Sequence, residues 1–180
     1  MLQPFDYVLH GDNSKVAHSD NLVSVNPQKS HLYTRLETPR MSVMAVYIGK
    51  TKNSSAARSA LKINYAVKQI INPAIKEAYP DTAFQLRQTV GIDSSPLLVA
   101  RTGLRGANDL VWVGRAANYA AKLCGLDEDD YTTFITEHVY DRLNESAKKG
   151  GSPLSSMWEP GIWSETGIKI YKSNWWWKVD

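Results

Sequence analysis

Residues 90–123, with the sequence VGIDSSPLLVARTGLRGANDLVWVGRAANYAAKL, decide the fold of this 180-residue chain. The stretch begins inside a segment, 86–92, whose apolar residues alternate as in a strand. Two short apolar runs, 97–100 and 109–113, flank a turn-rich segment and predict a hairpin. An Ala-rich run over 116–123, with a glycine on either side, predicts a short helix. The stretch therefore predicts a strand, a hairpin and a helix in succession.

Upstream of this stretch, the sequence predicts a buried strand followed by a long helix. The apolar run 43–48 ends at Gly49 and is rich in β-branched residues, which favours a strand. Ser54 or Ser55 then offers an N-cap. A stripe of apolar residues continues to about residue 79 with helical spacing. Because Pro73 lies inside this stripe and lacks an N–H, we expect the helix to kink or restart there.

Downstream, the sequence predicts a strand over 131–135, a short helix from Thr136 to Leu143, and a last strand over 167–171. Together these elements indicate an α+β domain over residues 42–180, with helices covering one face of a largely antiparallel sheet. Residues 1–41 are polar and keep no period of 2 or 3.6, so they form an atypical N-terminal segment. We predict disorder or an irregular loop there, with 7–9 as the one candidate strand.

Composition limits the functional classes. Hydrophobic residues make up 43% of the chain and charged residues 22%, which is typical of a soluble globular protein. A net charge of +3 suits a small anionic ligand and does not require nucleic acid. The single cysteine, Cys124, excludes a disulfide framework within one chain. No signal peptide and no apolar run of membrane-spanning length is evident, so we expect a cytoplasmic protein without a membrane partner.

Asn118 and Lys122 are the first candidate site residues. They lie four positions apart on the helix predicted over 116–123, so they project from one face about one turn apart. A carboxamide and an ammonium on a shared face could hold a ribose and a phosphate. The alternative interpretation, which the spacing alone favours, is a solvated polar stripe on an Ala-rich helix.

The ordered motifs resemble the class III nucleotide cyclases. That family carries Gly-Ile-x-x-Gly, a hairpin, and then Gly-x-x-Val-Asn-x-Ala-Ala-Arg; this chain has Gly91-Ile92-Asp93, a hairpin, and Gly114-Arg115-Ala116-Ala117-Asn118-Tyr119-Ala120-Ala121-Lys122. The strand at 43–48 and the helix after it are also similar to the family's, so the match spans residues 42–143. The resemblance implies a ferredoxin-like class III cyclase catalytic domain.

Within that family, the chain looks most like the pyrimidine cyclases of bacterial Pycsar anti-phage systems. The similar runs include residues 99–103, 105–115 and the Trp-rich ending 157–177. We interpret that ending as a hydrophobic closing strand that packs on the sheet. The resemblance implies that UTP or CTP is converted to 3′,5′-cyclic UMP or cyclic CMP plus diphosphate. It also implies a homodimer and a separate effector that the cyclic nucleotide activates.

The resemblance assigns roles residue by residue. Asn118 would orient the ribose, and Lys122 takes the place of an arginine that stabilises charge on the phosphate. A lysine supplies the positive charge but, unlike an arginine, cannot donate two parallel hydrogen bonds to the phosphate. Val111 lies near the position where purine cyclases read the base with a polar residue, which suits another base. The candidate secondary contacts are Arg105, Asp109 and Arg115, for which an ordinary loop or strand-end charge is an equal alternative.

The metal ligands are where this chain departs from the family, which uses a divalent metal, Mn or Mg, held by two aspartates. One of them belongs to a Gly-Asp pair ahead of the strand at 43–48, where this chain has Pro39-Arg40-Met41-Ser42 and, out of register, Glu37. Upstream, Asp6, Asp12 and Asp20 lack the family's context, so the metal ligands stay unknown. Three explanations are open: a truncated or frameshifted product, a degenerate cyclase, or a rearranged site using Asp12 or Asp20. We expect weak or absent cyclase activity from this chain.

Two alternatives to a working cyclase also remain. The first is a catalytically degenerate, cyclase-like protein that binds nucleotide or dimerises without turnover. The second is an unrelated ferredoxin-like binding module, which a structure lacking the cyclase strand order would support.

Overall fold

The computed structural model describes residues 21–26, 43–102, 109–128 and 130–179. The strands are β1 Asn21–Asn26, β2 Val43–Val46, β3 Thr89–Ser94, β4 Leu98–Thr102, β5 Asp109–Val113, β6 Thr133–Thr136, β7 Lys149–Gly150, β8 Ser155–Ser156, β9 Glu159–Ile162 and β10 Lys169–Ser173. The helices are α1 Lys52–Tyr65, α2 Asn72–Ala78, α3 Arg115–Leu123, α4 Glu137–Asp141 and α5 Glu145–Lys148. Each strand and helix predicted between residues 43 and 171 is confirmed in type and place, whereas the Trp-rich ending is not the predicted strand, and β1, β7, β8, β9 and α5 were not predicted.

The main sheet has six strands in the order β2-β1-β3-β6-β10-β9. All neighbours are antiparallel except β3 and β6, which run parallel. The strands β4 and β5 form a separate hairpin, as predicted. The α+β class and the largely antiparallel sheet are therefore confirmed, and among the described helices none is long and apolar enough to cross a membrane.

The strand β1 lies within the segment that the sequence marks as atypical. It pairs antiparallel with β2 on one side and with β3 on the other, with Leu22 opposite both Val46 and Asp93. A central strand at this place had no signal in the sequence, because polar Asn21, Ser24 and Asn26 interrupt its apolar residues. The strand predicted at 7–9 lies outside the described residues.

The long helical run is interrupted where the sequence predicts it. The helix α1 begins at Lys52, ahead of the N-cap predicted at Ser54 or Ser55, and a wider π-helical turn, Ala66–Ile71, joins it to α2 just before Pro73. Neither serine is an N-cap, because both lie inside α1. Ser54 is buried, and its hydroxyl accepts a hydrogen bond of 2.8 Å from the Asn144 N–H.

Helices lie on both faces of the sheet, which corrects the prediction that they cover one face. Because side chains alternate along a strand, Val90 and Ile92 of β3 point away from Gly91. These two residues share a buried cluster with α1 and α4, whereas Gly91 lies directly against α3. We call the two sides the α1 face and the α3 face.

The Trp-rich ending is also corrected, because it is not a closing strand on the sheet. The strand β10 ends at Ser173, and residues 174–177 dock on α1 instead. The Asn64 side-chain amide donates 2.8 Å hydrogen bonds to the carbonyls of Asn174 and Trp175. The Trp177 N–H bonds the Leu61 carbonyl at 3.0 Å. A buried polar residue on the helix therefore fixes the path of this segment.

Candidate functional site

The helix α3 lies very close to the centre of the sheet because β3 has a glycine at that point. A Cβ atom on Gly91 would overlap the Ala120 carbonyl and come within 2.7 Å of Leu123 Cβ. The residues of α3 that face inward are small or aliphatic: Ala116, Ala120 and Leu123 are fully buried. This close contact fixes the distance between the helix and the sheet, and it leaves the polar side chains of α3 on the outside.

The first turn of α3 is fixed by the segment that follows β3. The Ser95 hydroxyl accepts a hydrogen bond of 2.9 Å from the Ala116 N–H, one of the donors that a helix start leaves unpaired. Gly114, just before the helix, has φ +155°, and a Cβ there would lie 2.7 Å from a methyl carbon of Leu97. The glycine that the motif contributes is therefore required by both backbone conformation and space.

Arg115 is tied to the buried end of β3. Its Nε donates to the Asp93 carboxylate at 3.1 Å and one Nη donates to the Ser94 carbonyl at 2.7 Å. Asp93 is fully buried, and its other oxygen accepts a hydrogen bond of 2.6 Å from the Thr136 hydroxyl. About half of the Arg115 side chain is exposed, and it lies over the Tyr119 ring. Arg115 thus anchors the helix, a role that the sequence did not assign.

Asn118 and Lys122 lie on the exposed side of α3, as the spacing predicts. The Asn118 side chain points away from the core formed by Ala116 and Ala120. The ammonium of Lys122, in the last turn of α3, lies 2.5 Å from a carboxylate oxygen of Glu165. The two candidate residues therefore present an amide and a cation outward from a helix that is rigidly held.

The hairpin β4–β5 stands next to the start of α3 through Leu97 and Trp112, which pack against Ala116. Val111 is 40% exposed and lies opposite Ala100, so it is open to a ligand or a partner. The backbone of Asp109 begins β5, opposite Thr102. Arg105 lies outside the described residues.

His138, which no motif in the sequence indicates, belongs to the same end of the sheet. Its pKa is lowered from the usual value, first by burial and then by the positive charges of Arg142 and Arg115, while Asp93 opposes this shift. The Arg142 guanidinium lies 3.0 Å from a His138 ring nitrogen. Neutral imidazole is therefore favoured beside the Arg115 anchor.

A separate cavity of about 350 Å³ lies between the π-helical turn and the segments 85–89 and 127–132. None of the described candidate residues lines it. Part of its wall is held by Asn72, whose side chain exchanges two hydrogen bonds with the Leu86 backbone. The cavity is therefore distinct from the exposed face of α3.

The residues that the structure describes do not fit the divalent metal that the sequence resemblance implies. Among them, no group of three or more His, Cys, Asp or Glu residues is placed to hold a metal ion. Asp93 is buried and already bonded to Arg115 and Thr136. The acids considered in the sequence, Asp6, Asp12, Asp20 and Glu37, lie outside the described ranges.

Comparison with known proteins identifies the relatives of this chain. It is 50% identical over 139 residues to a uridylate cyclase of Xanthomonas perforans, a match that covers 77% of this chain and 58% of the relative. It is 53% identical over 137 residues to a uridylate cyclase of Burkholderia cepacia, covering 76% of this chain and 58% of the relative. The chain therefore spans a little over half the length of these curated relatives. No protein-family model matches it.

Solved structures agree on the fold. A bacterial light-regulated adenylyl cyclase superimposes with a TM-score of 0.64 at 16% identity, over 89% of this chain and 53% of that chain. A guanylyl cyclase superimposes with a TM-score of 0.63 at 10% identity, over 86% of this chain and 90% of that chain. The fold is that of class III cyclase domains, and the resemblance to uridylate cyclases is confirmed. An unrelated ferredoxin-like module finds no support.

Proposed function

We propose that the protein is a nucleotide cyclase that converts UTP to 3′,5′-cyclic UMP and diphosphate. The observation that carries the proposal is the 50–53% identity to uridylate cyclases over three quarters of the chain. We propose UTP rather than CTP as the substrate, because these relatives are named for the uridylate product. The exposed Asn118 and Lys122 on a class III fold support the same reaction.

The described residues can contribute binding and charge to this reaction. The ribose 3′-hydroxyl loses its proton to water, its oxygen forms a new bond to the α-phosphorus, and the bond from that phosphorus to the leaving diphosphate breaks. The Asn118 amide can hydrogen-bond the ribose and hold the 3′-hydroxyl in line. The Lys122 ammonium can stabilise negative charge that grows on the phosphate oxygens. The proposal also includes a divalent metal, Mn or Mg, and none of the described residues is assigned as its ligand.

The proposal includes a homodimer. The hairpin β4–β5 exposes one apolar face, because Leu98 pairs with Val113 and Ala100 pairs with Val111 across the two strands. Leu98, Val111 and Val113 are 40–52% exposed. An apolar strand pair that extends from the sheet suits contact with a second copy.

Sedimentation velocity tests the dimer. We expect Leu98→Asp with Val113→Asp to shift the protein to a monomer. Leu154→Asp, which changes another exposed leucine outside the hairpin, serves as the control. A wild-type protein that stays monomeric at tens of micromolar would contradict this part of the proposal.

The activity test incubates the 180-residue chain with each of the four nucleoside triphosphates and Mn²⁺, and identifies products by mass spectrometry. We expect cyclic UMP from UTP, formed slowly because the Gly-Asp pair is absent ahead of β2. Asn118→Ala and Lys122→Gln should each reduce product formation by about a hundredfold. Formation of a cyclic purine nucleotide in preference to cyclic UMP would contradict the proposal.

A second candidate function is UTP binding without turnover. It is favoured by the lack of a metal-binding cluster among the residues described. Saturable UTP binding with no detectable cyclic UMP in Mn²⁺ would assign this function instead.

The resemblance to Pycsar cyclases extends the proposal to anti-phage defence, in which cyclic UMP activates a separate effector. A plaque assay tests it in cells that carry the protein with a cyclic-UMP-activated effector. We expect fewer plaques than with Lys122→Gln, and equal plaque counts would contradict this role.

A further inference from the structure

The candidate cation of the site, Lys122, is already engaged by an acidic residue. A carboxylate oxygen of Glu165 lies 2.5 Å from the Lys122 ammonium, and the two side chains are 56% and 51% exposed. Glu165 belongs to the turn between β9 and β10, far from α3 in sequence. The ion pair therefore joins two separate elements at the place where the proposed function requires a free cation.

The turn that carries Glu165 is held firmly beside α3. Trp163, at its start, is 1% exposed and packs with Leu123 in a buried cluster. Its ring meets the Tyr119 ring edge to face, with centroids 5.3 Å apart. Two backbone hydrogen bonds of 2.8–2.9 Å close the turn, from Gly167 to Trp163 and from Trp163 to Ile168. Both partners of the ion pair thus start from elements fixed to one core, so their proximity is built into the fold.

The pair is nevertheless easy to open. Exposed ion pairs contribute little to stability because water and salt screen them. A triphosphate, which carries several negative charges, attracts an ammonium more strongly than one carboxylate does. A ligand that engages Lys122 must therefore displace Glu165, and the carboxylate left behind repels the incoming phosphates.

We propose that Glu165 is a positioning residue for Lys122, which it holds in the nucleotide-free protein and releases to the triphosphate. Glu165 thereby weakens triphosphate binding and sets the affinity of the site. This inference rests on the proposed nucleotide site on α3. It assigns to Glu165 a role in affinity, acting through Lys122.

The test measures binding of α,β-methylene-UTP to the full 180-residue chain by isothermal titration calorimetry. This probe cannot be cyclised, so the result does not depend on turnover. We expect Glu165→Gln to bind about two- to fivefold tighter than wild type, as the loss of an exposed ion pair implies. Glu165→Asp, which keeps the charge, should bind within twofold of wild type.

A double-mutant cycle shows whether the effect passes through Lys122. In a Lys122→Gln background, Glu165→Gln should change affinity less than twofold. The control is Glu145→Gln, which removes the exposed ion pair between Glu145 of α5 and Lys149 of β7 and should leave affinity unchanged. If UTP is turned over, Glu165→Gln should lower KM by the same factor and leave kcat unchanged.

The outcomes separate this inference from the proposed function. If wild type binds the probe and Glu165→Gln does not tighten it, or tightens it equally without Lys122, the role of Glu165 is wrong while the nucleotide site stands. If wild type binds the probe but makes no cyclic UMP, the catalytic proposal fails and the affinities still decide the role of Glu165. If wild type binds no nucleotide, both are wrong.

Discussion

The helices α1 and α3 lie on opposite faces of the same sheet and use polar residues in opposite ways. On α1, the polar residues Asn53, Ser54 and Asn64 are buried. The side chains of Ser54 and Asn64 bond distant segments of the chain. On α3, the buried residues are Ala116, Ala120 and Leu123, and the polar side chains face outward.

If the proposed nucleotide site is right, this difference separates residues that stabilise the fold from residues that bind the ligand. A buried amide must be hydrogen-bonded, so Asn64 is committed to the fold and is unavailable to a ligand. The exposed amide of Asn118 is hydrated and can exchange water for a ribose hydroxyl at little cost. The position of each asparagine relative to the sheet therefore decides whether its amide is open to a ligand.

The largest expected effect comes from forcing α3 away from the sheet. Gly91→Ala places a Cβ against the Ala120 carbonyl and Leu123 Cβ. Backbone cannot easily move aside, so we expect a loss of about 3 kcal/mol or more in the free energy of unfolding. Gly161→Ala in β9, where the nearest atom lies at 3.8 Å, should change stability by less than about 1 kcal/mol. Urea unfolding measures both variants, and equal losses would contradict the close contact.

The next comparison uses the same residue type on the two helices. Asn64→Ala leaves the Asn174 and Trp175 carbonyls without their partner, so we expect a loss of about 2–3 kcal/mol in the free energy of unfolding. Asn118→Ala should stay within about 0.5 kcal/mol of wild type. Thermal unfolding and nucleotide binding are measured together, and only Asn118→Ala should weaken binding. An Asn118→Ala protein that is as destabilised as Asn64→Ala would contradict the proposed difference between the two faces.

A smaller effect is expected from two threonines on opposite faces of β6. Thr136→Val removes the hydrogen bond to the buried Asp93 carboxylate and should cost about 1–2 kcal/mol of unfolding free energy. The Thr133 hydroxyl is buried and finds no hydrogen-bond partner among the described residues. Thr133→Val should therefore be neutral or stabilising by up to about 1 kcal/mol. The reverse order in urea unfolding would show that the polar cluster on the α3 face contributes nothing.

The smallest effect concerns pH and His138. Its pKa in the folded protein is lowered by burial and by Arg142 and Arg115, whereas an unfolded histidine titrates near about 6.5. As the pH falls below about 6.5, the unfolded state takes up this proton before the folded state does, so stability decreases. Above that pH the contribution is fully present. The unfolding free energy, measured in urea, should change less between pH 7.5 and pH 5.5 for His138→Gln than for wild type. Equal changes would show that His138 does not contribute to the pH dependence of stability.

The sequence predicts the fold well where hydrophobic periodicity is strong. The strand β2, the hairpin and α3 all follow from apolar runs and glycines. The strand β1 could not be predicted, because its apolar residues are separated by polar ones and only its neighbours β2 and β3 define it. The Trp-rich ending was misplaced because composition favours packing of tryptophans against the protein but does not show on which element, and Trp176 is in fact 49% exposed. That information lies in Asn64, a residue more than 100 positions away.

The placement of the candidate residues was predicted in part, whereas their roles stay predictions. Spacing placed Asn118 and Lys122 on one exposed face, since helical geometry fixes that relation. The anchor between Arg115 and Asp93 and the ion pair to Glu165 depend on tertiary contacts, which spacing cannot show. The candidate contacts Arg105 and Asp109 stay predictions.

The most direct test of the central claim, that the exposed face of α3 holds the nucleotide, is an NMR titration that follows the side-chain amide signals of Asn118 and Asn64. On addition of UTP to the full chain, we predict a saturable shift of the Asn118 signal and no shift of the Asn64 signal. A saturable shift of Asn64 with Asn118 unchanged, or no shift of either at millimolar UTP, would contradict the claim.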